Sequence, residues 1–457
     1  MARLTRTAPA VSFALGACLL TCGLQAAVTP EQAAALGGTL TGLGAEKAGN
    51  ADGSIPEYTG GLPNMYSGSG KGEFRAEDPY AGDKPLRVLT GASAEAAASQ
   101  LTAGTRELLR RYPTFRVDVY PTHRSAAYPG WLLENTRRNA TAVRSTDGGL
   151  GFRDALPGIP FPIPADGSEV MWNHRLRYMG RAVVQKYESW LVDSNGQSML
   201  TSAALGTWEF PIYDEKHRGT PVEENEPLFH WKGMYTGPQR RAGEGMLMLE
   251  AVNPLKQQRK VYSYLPGQRR VRLVNMPDDA PSSTASGAYI VDDAFVFNGA
   301  LDRFDVKLLG KREMLVPYNT YRMSFQSKPD EILRPGYLNP DVVRWELHRM
   351  WVVEATLKPG QHHPYGRRVF YVDEDTWIAL VSDEYDEHGK LLRAVFAYPT
   401  FGFETGVPFP STFVAYSFDT GSYYFSYHPD SADAIHFTDP LPDSGWSPDA
   451  LAGAGVR

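Results

Sequence analysis

The segment Trp377–Leu380 is apolar in both registers of a strand: Trp377 and Ala379 would face one side of a sheet, Ile378 and Leu380 the other. Leu391–Tyr398 repeats the pattern, with Val395 and Ala397 opposing Leu392, Phe396 and Tyr398. A sheet with one wet face alternates apolar and polar residues, so both faces of this sheet must be covered. One face has to meet helices or a second sheet. The other does the same or curls around an apolar cavity. The connections Asp373-Glu374-Asp375-Thr376 and Asp386–Lys390 carry hairpin chemistry, and sequential hairpins make an antiparallel meander. Strands are expected over Arg175–Tyr187, Ser198–Phe210, Gly245–Asn253, Arg259–Leu265, Arg269–Val274, Asp305–Arg312, Tyr318–Phe325, His348–Leu357, Arg367–Val372, Trp377–Tyr385, Leu391–Tyr398 and Thr412–Phe418. A short helix, Asp341–Leu347, capped by Asn339 with Pro340 at its first position, interrupts them.

The chain before this body reads differently. Thr29-Pro30-Glu31-Gln32 is a capping-box helix start, and Gly37 ends that helix. Residues 38–90 have no steady period and read as an extended segment. Helices are expected over Ser93–Gln100, Thr105–Arg111 and Gly130–Ala142. Pro157-Gly158-Ile159-Pro160-Phe161-Pro162-Ile163-Pro164 then forbids a helix and forces an extended strap. The expected organisation is a leader over 1–26, a helical and extended region over 27–165, the antiparallel body over 166–430 and a flexible tail over 431–457.

The leader is a signal peptide by its anatomy. Arg3 and Arg6 form a positive start, Ala10–Leu20 is a short apolar run, and Leu24-Gln25-Ala26 offers a cut. The apolar run is far below the roughly 20 residues that span a bilayer. Cleavage near Ala26 sends the mature chain to the periplasm. The alternative is the lipobox-like Leu15-Gly16-Ala17-Cys18, which would leave Cys18 as a lipid anchor. Both cysteines lie in the leader, so the mature chain has no disulfide, thiolate metal site or cysteine nucleophile. Losing Arg3 and Arg6 leaves 44 basic residues against 52 acidic ones, a net charge of −8, which argues against nucleic acid as a partner.

Catalytic patterns are absent from the sequence. There is no G-x-S-x-G elbow around Ser69, no H-E-x-x-H, and no P-loop at Gly70-Lys71. His362-His363 read as a solvated loop, and Asp373-Glu374-Asp375 as turn residues that bond their own backbone. Asp292-Asp293, beside the polar loop Pro277–Gly287, are the acidic pair to test for acid/base work. Trp172-Asn173-His174-Arg175 is the most suggestive cluster, either a ligand head-group clamp or a buried hydrogen-bonded knot at the start of the first strand. Tyr120–Ser125 poses the same choice. No metal and no cofactor are expected.

Several phrases carry a family resemblance: YPTHRSAAY at Tyr120–Tyr128, IPFPIP at Ile159–Pro164, WNH at Trp172–His174, NGALDR at Asn298–Arg303, ILRPG at Ile332–Gly336 and HRMWVVEATLK at His348–Lys358. Together they resemble the domain-of-unknown-function family of Gram-negative periplasmic proteins described as outer-membrane lipoprotein-sorting-like, from about Val28 to Ser426. The resemblance implies the fold of the lipoprotein carriers LolA and LolB, incomplete antiparallel β-barrels closed at one side by helices around a cavity for acyl chains. It also implies neighbours among export systems of the resistance-nodulation-division type and outer-membrane proteins. It brings no catalytic residues, and this chain is more than twice the length of a simple carrier.

The expectation is thus a mainly β protein with helices (α+β): a LolA/LolB-like incomplete antiparallel β-barrel with a helical plug and an N-terminal helical and extended region. Its expected work is to carry or chaperone a hydrophobic molecule, lipid or acyl-chain-like, within the envelope, with an export system or outer-membrane protein as a possible partner. Trp172, His174, Arg175, Tyr178, Trp208, Trp351, Phe370 and Trp377 are the candidate ligand-binding residues. Two alternatives stand beside it: a hydrolase-type enzyme on a lipid or aromatic substrate centred on His174 or Asp292/Asp293, and a ligand-free interaction subunit of an export complex.

Overall fold

The computed structural model describes residues 28–62, 78–282, 287–402, 408–409, 412–429 and 435–454. The expected signal peptide, its cut at Ala26 and the Cys18 anchor lie outside the described residues. Among the described residues no helix is long and apolar enough to cross a membrane.

The chain is mainly β, with helices laid on an open antiparallel sheet. Its longer strands, in chain order, are β1 Ala182–Val192, β2 Ser198–Glu209, β3 Pro227–Gly237, β4 Gly245–Ala251, β5 Lys260–Leu265, β6 Arg270–Val274, β7 Phe304–Pro317, β8 Trp345–Leu357, β9 Arg367–Asp373, β10 Ala379–Tyr385, β11 Leu391–Ala397, β12 Phe413–Ser417 and β13 Ser422–Tyr427. β1–β6 form one meander and β7–β13 a second. They join where the last strand returns beside the first, with Tyr423 opposite Val192 and Tyr427 opposite Glu188. β6 ends the sheet on one side and β7, paired only with β8, on the other, so the sheet curls without closing. The short strands Arg87–Leu89 and Val117–Val119 extend it beyond Trp345.

Both faces of the C-terminal meander are covered, as its two-sided apolar pattern demands. On one face lies helix α1, Ala103–Arg111. The Asp383 carboxylate in β10 accepts the backbone N–H groups of Ala103 and Gly104 at 2.8 Å each, answering two of the helix's free donors. The approach is so close that a Cβ on Gly104 would stand 2.3 Å from the Ala394 side chain. Helix α2, Gly130–Ala142, matches its expected span. On the opposite face lies α3, Gly167–Arg175, whose first residue touches Val306 and Val353 of β7 and β8.

α3 corrects the sequence reading, which began a strand at Arg175. Asp166 caps the helix by accepting the Glu169 N–H, and the Glu169 carboxylate reaches back to the Ala165 N–H at 2.6 Å. The strand starts only at Ala182. Two other elements differ. Tyr318–Phe325 is a turn and a short helix, Tyr321–Phe325, and the helix expected at Asp341–Leu347 is a single turn, Pro340–Val342, before β8 begins at Trp345. The tail expected to be loose is packed where it is described. Ile435–Phe437 pairs with β1, and Trp446 and Leu451 bury against Leu247 and Tyr264, because the burial of these large apolar side chains outweighs the polar residues between them.

Candidate functional site: an aromatic hollow and the strap that fills it

Register places a set of side chains on the concave face of the N-terminal meander. Val183 of β1 lies opposite Trp208 of β2, which lies opposite Trp231 of β3 and then Met248 of β4. Two residues along each strand, Gln185, Gly206 and Gly233 form the next row. The glycines make room for an indole. A Cβ on Gly233 would sit 2.5 Å from the Trp231 ring, and one on Gly206 2.9 Å from its Nε1. Trp231 therefore lies flat over the sheet, 5.9 Å from Trp208 and 6.2 Å from Tyr187. Phe210 and Phe229 complete the wall.

This aromatic hollow is not empty. The strap Tyr289–Asn298 crosses the concave face from one meander to the other. Tyr289 meets Tyr424 of β13, ring to ring at 4.7 Å. Phe295 enters the hollow, 5.4 Å from Trp208 and 6.4 Å from Phe229. Phe297 lies 5.2 Å from Phe370 of β9. Two small spaces lie beside the strap: about 10 Å³ between Arg177, Phe229, Phe295 and Phe297, and about 30 Å³ between Trp172, Arg175, Asn253 and Phe297. The larger openings, about 370 Å³ each, are surface grooves by Trp190 and Lys328 and by His217 and Trp446.

The strap is held by buried charges. Asp292 and Asp293 bond the Arg368 guanidinium at 2.8 and 3.0 Å, and Glu384 bonds it from β10 at 2.8 Å. Arg368 is 0% exposed. Tyr365 donates to Asp293 at 2.7 Å. Burial pushes the Glu384 carboxyl up to about 8 against the pull of Arg368, and raises Asp293, while Arg368 and His363 hold Asp292 low. His363 is thus not in a solvated loop: its ring is buried 3.4 Å from Asp292, and only His362 is exposed. Asp373, Glu374 and Asp375 are likewise buried rather than confined to turn bonding, because Arg124, Lys311 and Arg349 converge on the last two.

The strap's backbone is unusual where it enters the hollow. Phe295 and Val296 stand at φ +57° and +72°. That region is uncommon for any L-residue and a true outlier for a β-branched one. Such strain persists only where the surroundings over-determine it.

The sequence-derived candidates are scattered. Trp208 lines the hollow, and Phe370 backs the strap. His174 and Arg175, on α3, flank it. His174 is 0% exposed; its Nε2 lies 3.0 Å from the Phe297 carbonyl, and its Nδ1 accepts the Ala379 N–H at 2.9 Å. Burial and the nearby Arg177 hold it well below the usual histidine range, so the ring is neutral. Arg175 is engaged by Glu250 and the Val252 and Ala251 carbonyls. Trp172 borders the small space beside Phe297 and donates to the Gly149 carbonyl beside Phe152, and Tyr178 packs between Trp131 and Tyr213. Trp351 and Trp377 form a separate stack 6.2 Å apart, with Trp377 donating to the Leu43 carbonyl. Replacing His174 with Leu is expected to cost about 2–4 kcal/mol in urea unfolding, because one backbone donor and one acceptor would be left buried and unpaired.

Phe229, Trp231, Phe295, Gln185 and Arg177 were not identified from sequence. Among the described residues four polar atoms at this hollow are buried without a hydrogen-bond partner: Gln185 Oε1, Trp208 Nε1, Trp231 Nε1 and Arg177 Nε. One group has metal-like proximity, His348, Asp373 and Asp375, within 4.8 Å of one another. Both Asp375 oxygens accept from Arg124, at 2.6 and 2.8 Å, and His348 Nε2 lies 3.1 Å from Glu346, whereas Asp373 accepts only from Tyr318 and Thr376 and its Oδ1 has no partner among the described residues.

The architecture defines a class: a mainly β protein with helices, whose open sheet wraps a helix and a strap instead of closing into a barrel. The chain belongs to the family described as protein of unknown function (DUF1329), whose model matches residues 88–452. It is 38% identical over 443 residues to the Pseudomonas aeruginosa protein named "Uncharacterized protein PA3922", covering 96% of each chain. Among solved structures it is similar to a putative outer membrane lipoprotein-sorting protein domain from Vibrio parahaemolyticus, at 13% identity and TM-score 0.42, over 62% of this chain and 97% of that one. It is similar also to a DUF1329 family protein from Desulfovibrio piger (16%, TM-score 0.41, 62% and 95%) and to a LolA superfamily protein from Nitrosomonas europaea (13%, TM-score 0.36, 63% and 100%).

Proposed function

We propose that this chain is a periplasmic carrier that takes a hydrophobic molecule into the aromatic hollow as the strap withdraws Phe295. The observation that carries the reading is a hollow walled by Tyr187, Trp208, Phe210, Phe229 and Trp231, filled by one strained, half-buried phenylalanine from its own chain. An acyl chain of about 16 carbons gains on the order of 10 kcal/mol on leaving water, so moving it between membranes needs a dry site that also lets go. A self-filling hollow meets both needs: it binds, and the returning strap displaces the cargo. The enzyme alternative loses its candidate groups. Both nitrogens of His174 face backbone partners, and Asp292 and Asp293 are both engaged by Arg368.

A second reading, the ligand-free interaction subunit, is favoured by the filled interior and by the exposed apolar side chains Leu86 and Val88 at one sheet end and Leu273 and Val274 at the other. The two separate on one experiment. Protein purified from periplasm is extracted with organic solvent and the extract analysed by mass spectrometry. Recovery of a hydrophobe in near-molar ratio is expected. Clean protein that also takes up no fluorescent fatty acid would reject the carrier.

A further inference from the structure

Arg177 stands at the inner end of the hollow, in the turn between α3 and β1. It is 4% exposed, and no carboxylate of a described residue lies within ion-pairing distance of it. A buried cation without a counter-ion is the rarest of arrangements, since burying a charge costs heavily unless it is paired. Every other deeply buried arginine named above has its acid: Arg124 has Asp375, Arg175 has Glu250, Arg368 has Glu384 and both aspartates. Arg177 has one backbone bond, from Nη1 to the His174 carbonyl, and its Nε is unpartnered among the described residues.

Its surroundings tell where a partner would sit. The guanidinium lies 5.4 Å from the Phe295 ring centre, so the plug covers it with a π face, a weak substitute for an anion. It borders the small space shared with Phe210, Phe229, Phe295 and Asn298. Burial pulls the Arg177 guanidinium down to about 9, against the smaller opposing influence of Tyr213 and Tyr128. The Tyr213 hydroxyl is committed to the Leu176 carbonyl, whereas the Tyr128 hydroxyl is buried without a partner among the described residues. An unpaired guanidinium thus stands at one end of an aromatic wall.

We propose that the cargo is an amphiphile with an anionic head group, whose carboxylate or phosphate pairs with Arg177 while its apolar body replaces Phe295 against Trp208 and Trp231. This rests on the carrier reading and adds the head-group chemistry to it. Arginine suits the role, because its planar donors match both oxyanions and it stays charged on burial better than lysine. Phe295 then covers the guanidinium in the unloaded chain and is traded for the anion in the loaded one.

The test uses the mature chain, titrated with cis-parinaric acid and with the matching alcohol, in wild type, Arg177→Met and Arg177→Lys. The acid is expected to bind about 10–100-fold more tightly than the alcohol in wild type, the span of a charge-assisted hydrogen bond to a buried partner. Arg177→Met should abolish that preference while keeping the alcohol's affinity, which also reports that the hollow is still folded. Arg177→Lys should retain part of the preference. Equal binding of acid and alcohol in wild type would overturn the proposal while leaving the carrier intact, as would an acid preference that survives in Arg177→Met. Binding of neither probe would overturn both. Titration with dodecyl phosphate then distinguishes carboxylate from phosphate as the head group.

Discussion

Replacing Arg368 with Met is expected to destabilise the protein by about 3–5 kcal/mol, the range seen when one member of a buried ion network is removed. Met roughly fills the volume but strips Asp292 and Glu384 of their guanidinium and leaves Asp293 only Arg393, 3.9 Å away. The loss should be smaller in mildly acidic buffer, where the stranded carboxyls take up protons more readily. Urea unfolding at two pH values measures both statements. The same cluster contributes to the pH dependence of the wild type, beside Glu169, which burial raises to about 7. Glu384 has a folded pKa near 8 against 4.5 as its ordinary value. The folded state therefore holds a proton that the unfolded chain releases, and this contribution is full below pH 4.5 and lost as pH rises through 8. The buried His174, His230 and His428, all held below 6.5, act in the opposite direction only below that value. Stability should accordingly fall between pH 6.5 and 8, and Glu384→Gln should flatten the slope.

The second large effect is a gain. Phe295→Gly removes the side chain that occupies the hollow and relieves the left-handed backbone at φ +57°, which glycine adopts freely. A half-buried phenylalanine ring contributes about 2 kcal/mol of burial that cargo must displace. Removing this competitor should tighten binding of a fluorescent fatty acid about 10–30-fold, at a cost of about 1–2 kcal/mol in stability. An affinity unchanged by Phe295→Gly would mean that the cargo binds elsewhere. The trade is a population shift: the strap and the ligand compete for one surface, so weakening one strengthens the other.

Much of this architecture is legible in the residues. The two-sided apolar hairpins require cover on both faces, and α1 and α3 supply it. The capping box at Thr29 and the helix Gly130–Ala142 follow local rules that tertiary packing leaves alone. What escapes notice escapes for identifiable reasons. β3 hides because Gly233 interrupts its alternation of Phe229, Trp231 and Tyr235, yet the glycine is there to let the indole lie down. α3 hides because the segment before it is proline-rich and it is buried almost all round, so no amphipathic stripe marks it. The strap hides because Asp292 and Asp293 read as a pair for acid/base work until Arg368, 75 residues and more away in sequence, arrives beside them. Long-range charge pairing leaves no local pattern. For the same reason Arg177 is invisible from sequence, since what distinguishes it is the lack of a neighbour.

The central claim is that a hydrophobic ligand enters the hollow between Trp208 and Trp231, and quenching of tryptophan fluorescence by a fatty acid brominated at mid-chain tests it most directly. Bromine quenches an indole only on contact, so the position of the chain is read from which tryptophans darken. Saturable quenching at one ligand per protein is expected in the wild type, with most of it lost when Trp208 and Trp231 are both replaced by Phe. No quenching at saturation, or quenching that survives the double replacement undiminished, would contradict it.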